Sequence, residues 1–236
     1  MKRTVLKGTI LAGLLALFGA LAMAASGVGV SADEALQKLM EGNKRFVESK
    51  MTACGESNAA ARGKIAQSQK PYAIILSCSD SRVPPELIFD KSLGEIFVVR
   101  VAGNVPDPIV LGSIEYAAEH IGSPLIMVLG HERCGAVTAT VDANGKGEGN
   151  IGAIVKAIAP ALKKVKAECQ RHKECDKKDK ARLVECVVDE NAKLVAANLV
   201  KQSKVIAELV KEGKIKIVSA KYDLDDGKVT LFEGKK

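Results

Sequence analysis

An α/β fold built on a central, mainly parallel sheet is what this sequence predicts, and three observations predict it. Short, predominantly apolar segments recur at 72–77, 95–101 and 124–130, as expected of strands in a buried parallel sheet. The segments between and after them have helical periodicity and suit right-handed crossovers. Finally, the first and third runs stop abruptly in polar sequence, Ser77-Cys78-Ser79-Asp80-Ser81-Arg82 and His131-Glu132-Arg133-Cys134-Gly135. Ligands of open α/β sheets gather beyond the carboxyl ends of such strands.

The elements follow in order. Ser31 or Asp33 can cap a helix in which Ala35, Leu36, Leu39, Met40 and Phe46 share one face, an N-terminal helical arm reaching about Glu48. A connection containing Cys54 leads to a second helical segment, 59–69, stopped by Pro71. After the strand at 72–77, Pro84-Pro85 opens a short helix ending near Asp90. The strand at 95–101 turns at Ala102-Gly103-Asn104, and a helix from about Pro108 to His120 leads to the strand at 124–130. Helices are expected from Cys134 to about Asp142, from Ile151 to about Cys169, and from Lys180 to Glu212 with breaks. Strands at 214–220 and 229–232, joined through the hairpin pair Asp226-Gly227, close the domain. The expected sheet therefore has four parallel strands plus an antiparallel edge strand, flanked by helices.

Composition sets the boundaries. Lys2, Arg3 and Lys7 precede an uncharged apolar stretch, 8–23, that closes in Ala22-Met23-Ala24. This is the layout of a secretory signal over 1–24, too short for a membrane span, and it predicts a mature domain of 25–236 in the periplasm or outside the cell. Removing it takes away three of the 35 basic residues and none of the 28 acidic ones, so the net charge falls from +7 to +4. That is no nucleic-acid footprint, and a chain with no Trp offers bases little to stack on. The glycines at 145, 147 and 149 lack the strand, spacing and Lys-Ser/Thr pair of a phosphate loop and read as a surface loop.

The six cysteines divide into two groups. Cys54, Cys169, Cys175 and Cys186 lie in loop or helical sequence, and an exported protein would oxidise some of them. A staple drawn from Cys169, Cys175 and Cys186 across the charged segment 170–180 is the expected form, with the partners left open. Cys78 and Cys134 instead sit at strand ends with His131. Two thiolates and an imidazole make a zinc set with one coordination position left for water, and the distance between the cysteines argues against a finger or ribbon.

Water on such an ion loses a proton near neutral pH and becomes a nucleophile toward an electrophilic carbon. Asp80 is placed to accept the remaining proton of the hydroxide and aim its lone pair, and Arg82 to keep Asp80 ionised. Asp80 can also bind zinc itself, which would give a resting state. A zinc with two thiolates and a neutral imidazole is formally neutral, so its water is less acidic than with three imidazoles, and activity should rise toward alkaline pH.

At these residues the sequence resembles the β-class carbonic anhydrases. The resemblance rests on Cys78-x-Asp80-x-Arg82 and His131-x-x-Cys134, with Glu86, the run from Phe97 to Asn104, and Glu115-Tyr116, and it extends over roughly Leu36 to Phe232. It implies one Zn²⁺ per subunit on Cys78, His131 and Cys134, an Asp80–Arg82 dyad, and the conversion of CO₂ and water to bicarbonate and a proton. Gln69, Phe97 and Tyr116 look like the substrate-side glutamine and apolar wall of the family's pocket. Gly103 is either part of that pocket or a tight turn. The family builds this wall partly across a dimer interface, which implies a homodimer or a dimer of dimers. The Trp with which some members hold a regulatory bicarbonate is missing. Two other readings remain: hydrolysis of CS₂ or COS by the same zinc hydroxide, and a non-catalytic zinc-binding protein kept closed by Asp80.

Overall fold

The computed structural model describes residues 28–169, 175–176 and 178–232; the expected signal segment and most of the charged connection 170–180 lie outside these. Helix α1 (Ala32–Val47) opens the described chain on a reciprocal cap: Ser31 Oγ accepts from Glu34 N–H, and the Glu34 carboxylate accepts from Ser31 N–H. Two short helices follow, α2 (Ala53–Glu56) and α3 (Ala59–Ile65). The first occupies what the sequence suggested was an irregular connection. The second stops four residues before the expected end at Gln69, and it has no buried residue: a short helix with no face to pack has nothing to hold further turns together.

Next come β1 (Ala73–Ser77), α4 (Pro85–Ile88), β2 (Ile96–Arg100) and a 3₁₀ turn at Ala102–Asn104. Helix α5 (Pro108–Glu115) opens with Asp107 capping Val110 N–H and runs into a wider π-type turn, Tyr116–Ile121, so the expected single helix changes pitch at Tyr116. Strand β3 (Leu125–His131) precedes α6 (Gly135–Asp142), α7 (Gly149–Glu168), α8 (Lys180–Gln202) and α9 (Lys204–Lys211). The break between the last two falls at Ser203, which ends one helix and caps the next by accepting from Ile206 N–H. Strands β4 (Lys216–Tyr222) and β5 (Val229–Leu231) close the fold as a hairpin.

The sheet order is β2-β1-β3-β4-β5, parallel throughout except for the β4–β5 pair at one edge. Alternation along the buried strands feeds two cores. Ala73 and Ile75, with Leu125, Met127 and Leu129, face α1 and α4. Ile74 and Leu76, with Ile126 and Val128, face α5, α8 and α9. Each such side chain contributes about 1.5–3 kcal/mol by leaving water, which is why both faces must be covered. A third core joins α6, α7 and α8 beside Cys78 and Cys134. The arm is fixed by buried Asn43, which donates to the carbonyls of Ile88 and Gly227 and accepts from Val229 N–H.

The register sets up the functional edge. Ser77 pairs with Leu129, so Cys78 and His131 leave adjacent strands at nearly the same level.

Candidate metal centre

Cys78, His131 and Cys134 are all buried, and their ligand atoms lie within 4.8 Å of one another. The two sulfurs are 4.0 Å apart, close to the roughly 3.8 Å that two thiolates take up on a tetrahedral zinc with bonds of about 2.3 Å. His131 Nδ1 is 2.9 Å from the carbonyl oxygen of Glu132, which can only accept, so Nδ1 carries the proton. That leaves Nε2 as a buried lone pair without a hydrogen-bond partner among the described residues. A buried polar atom of this kind calls for a ligand, and a divalent cation fits the donor set.

Proton affinities follow the geometry. The Cys134 thiol is the main influence that pulls Cys78 down, against its burial, and it is joined by the backbone N–H groups of Gly103 and Asp80. Cys134 is pushed up in turn by the thiolate beside it and by burial. Without a cation the pair favours a single negative charge; a divalent ion lets both sulfurs carry one.

Asp80 is gripped by Arg82. Arg82 Nε donates to Oδ1 at 2.9 Å and Nη2 to Oδ2 at 2.7 Å, while the Arg82 backbone N–H reaches Oδ1 at 3.0 Å. The guanidinium foremost holds the Asp80 carboxyl below the usual carboxylate range, against its partial burial. Its Oδ2 lies 3.9 Å from His131 Nε2, beside the ligand atoms but outside their cluster.

Two arginines that the sequence reading left without a role brace these loops. Arg100, at the end of β2, donates to the carbonyls of Cys78 and Asp80 at 2.9 and 2.6 Å. Arg133, at φ 49°, stands between the ligands of the second motif. Its N–H donates to Glu185 on α8, its carbonyl accepts from Arg82 Nη2, and its guanidinium forms a two-bonded pair with Asp225 of the β4–β5 hairpin. In the sequence Arg100 lies inside the run 97–104 and Arg133 inside the His131-x-x-Cys134 motif, neither with a role assigned.

Gly103 is more than a turn. At φ 73° its N–H donates to Cys78 Sγ at 3.3 Å, and a Cβ there would stand 2.7 Å from Ile158 Cδ1. The remaining expected pocket residues lie elsewhere. Phe97 is paired with Ile74, four residues before Cys78 and so roughly 13 Å back along the sheet. Its ring is 6.4 Å from that of Tyr116. Gln69, in the irregular segment before β1, joins Tyr116 and His120 around an open cavity of about 510 Å³ that none of the ligands lines. The structure thus brings Cys78, Asp80, Arg82, Gly103, His131 and Cys134 together and groups Gln69, Phe97 and Tyr116 apart from them.

The disulfide is Cys175–Cys186, within the expected set, and Cys169 is a buried free thiol; the side chain of Cys54 lies outside what is described.

Comparison with known proteins completes the picture. A family model described as carbonic anhydrase matches residues 73–229. Carbonic anhydrase 2 of Mycobacterium tuberculosis is 38% identical over 200 residues, covering 84% of this chain and 91% of that protein. A carbonic anhydrase of Mycolicibacterium smegmatis is 38% identical over 201 residues, with the same shares covered. Among solved structures, the β-carbonic anhydrase CafA of Aspergillus fumigatus superposes with a TM-score of 0.67 at 24% identity, over 86% of this chain and 91% of that one. The family match spans both ligand motifs and the strands that carry them, and the sheet is shared with β-class structures. The chain therefore belongs to the carbonic anhydrase family and is a β-class enzyme, a zinc catalyst of carbon dioxide hydration.

Proposed function

We propose that Cys78, His131 and Cys134 hold one zinc ion per subunit and that CO₂ is hydrated beside it with Asp80 and Arg82 as the working dyad. The observation that carries this reading is a carboxylate held in place by an arginine at the rim of a buried three-ligand cluster. When bound, zinc supplies the Lewis acidity that makes water a nucleophile near neutral pH. The chain does the rest. Asp80, ionised and fixed by three bonds from Arg82, accepts a hydrogen bond from the attacking oxygen and turns its lone pair toward carbon. The same grip favours catalysis over storage: to close the site as a ligand, Asp80 must leave two charge-assisted bonds. Two thiolates neutralise the ion, so turnover should rise toward alkaline pH, and Asp80 itself sets no lower limit until strongly acidic pH.

Gln69, Phe97 and Tyr116 act as the substrate wall for a second copy of the chain. Tyr116 is 49% exposed, and Ile65 and Leu93 are exposed in the same region, beside the open edge of β2. One solved chain, with TM-score 0.65 and 21% identity to this chain over 83% of it and 95% of its own length, comes from a pair of β-carbonic anhydrases of Sordaria macrospora described as tetrameric. This supports assembly here, as a homodimer or a dimer of dimers. Export to the periplasm is supported by the basic-then-apolar start of the chain and by the Cys175–Cys186 disulfide, which needs an oxidising compartment. Among the described residues no helix is long and apolar enough to cross a membrane.

Stopped-flow CO₂ hydration by the purified protein, with zinc measured on the same sample, tests the reading. Hydration with about one zinc per chain is expected; absence of both defeats it. Zinc without CO₂ turnover would favour storage, or CS₂ or COS if those were consumed.

A further inference from the structure

Helix α8 carries a buried stripe, Leu183, Val184, Val187, Val188, Ala192, Val195 and Leu199, interrupted by one polar residue, Asn191. Asn191 is 2% exposed, and its Nδ2 donates at 2.9 Å to the carbonyl of Gly103, a residue 88 positions earlier. The N–H of that same glycine donates to Cys78 Sγ.

We propose that Asn191 is a positioning residue for the metal centre, fixing the Gly103 amide on the sulfur of Cys78. The reason lies in glycine's freedom. At φ 73°, with the Ile158 terminal methyl and Ala136 crowding the place of a Cβ, this position favours glycine, yet without a Cβ its peptide planes are free to rotate. Something outside the turn must therefore hold it. On the chain's own side, Asn104 N–H bonds to the Val101 carbonyl. The carbonyl of that same peptide unit is held by Asn191, carried by a helix that also packs against β3 and β4, so the flank of the glycine that follows the N–H aimed at Cys78 is referenced to the scaffold of the second motif.

This inference rests on Cys78 being a zinc ligand, and its chemistry follows from that. An N–H directed at a thiolate draws electron density from the sulfur and leaves more positive charge on the metal. In a site with two thiolates, where the ion is formally neutral, such a bond restores part of the lost Lewis acidity. Losing Asn191 leaves a buried carbonyl unpaired and the Gly103 amide unanchored, so Cys78 becomes a more strongly donating but less well oriented ligand.

The test compares Asn191→Leu and Asn191→Asp, of similar size and without the amide donor, with Asn191→Gln as the conservative variant. In each, zinc release to a chromophoric chelator, the sulfur-to-metal charge-transfer band of the Co²⁺-substituted protein, kcat and KM are measured beside Tm. Expected are zinc release faster by about 10–100-fold, a shifted Co²⁺ band, and a fall in kcat with KM little changed, partly recovered in Asn191→Gln. Unaltered release and an unaltered Co²⁺ band, with only Tm reduced, would overturn the proposal and make Asn191 a packing residue. Should Asn191→Leu not fold, Asn191→Asp decides by the same readouts. The wild type, run in parallel, separates the two levels: if it binds no zinc the metal-centre reading itself fails, whereas zinc-loaded wild type with indifferent variants sinks Asn191 alone.

Discussion

The carboxyl edge of β1 and β3 and the outer edge at β2 are built on opposite principles. At the first, every side chain the chemistry needs is buried or braced within one chain: ligands at the strand ends, Asp80 held by Arg82, and both loops tied by Arg100 and Arg133. At the second, Phe97 is half-buried and Tyr116 exposed, their rings 6.4 Å apart, and Phe97 lies about 13 Å back from the level of Cys78 by strand register. The difference teaches that metal binding and substrate enclosure need not have the same minimal unit. One chain suffices for the first, and the second is expected to need two.

That contrast can be broken at several points. Cys134→Ser removes a ligand and leaves His131 and Cys78 without a complete set; zinc is lost and hydration falls by roughly 10⁴-fold or more, read by metal analysis and stopped flow. Asp80→Asn should keep zinc while kcat drops about 10²–10³-fold, because the oxygen is no longer aimed. If zinc falls with kcat, Asp80 is a ligand and not an orienting base. Tyr116→Ala acts on the other edge: kcat/KM falls by about tenfold and dimer dissociation increases, while zinc content and the Tm of the zinc-loaded chain barely change. A sedimentation measurement in which the variant stays fully associated would blur the distinction.

The smallest effect on turnover comes from Cys175→Ser, which opens the staple at the start of α8. It should cost about 3 kcal/mol of stability for a loop of 11 residues, seen in chemical denaturation, with kcat unchanged. Acid provides a further check on the scaffold alone. Burial pushes the Asp90 carboxyl up, but the bonds from Arg45, Ala53 and Thr52 outweigh it and its pKa lies below the ordinary 3.8. A depressed carboxyl stabilises above its unfolded value, so this contribution is complete above about pH 4 and disappears as pH falls through the folded pKa. Asp90→Asn should therefore flatten the acid limb of the stability curve.

The strands and the Cys78–His131–Cys134 cluster were legible because each left a one-dimensional mark: predominantly apolar segments, and Cys, Asp, Arg and His at fixed offsets just past two of them. Helix ends were less so. Nothing in 59–69 announced that α3 has no buried face and stops at Ile65, since that depends on what fails to pack against it. The change of pitch at Tyr116 was hidden for a similar reason. The braces were legible as positions in or between motifs, but not in what they hold. Arg100 grips carbonyls of the Cys78 loop, Arg133 pairs with carboxylates far along the chain and Gly103 gives its N–H to Cys78 Sγ, and pairings of that kind have no periodicity to read. Asn191 did leave a trace, a polar residue in an otherwise apolar helical stripe, though its partner 88 positions away could be found only in three dimensions.

The two ligand sulfurs are 56 positions apart along the chain and come within reach of each other only when β1 lies beside β3. No local peptide of this protein chelates with all three groups, so zinc uptake follows the closure of a long loop and cannot guide the earliest steps of folding. Metal entry into the newly made chain can then be no faster than completion of the sheet.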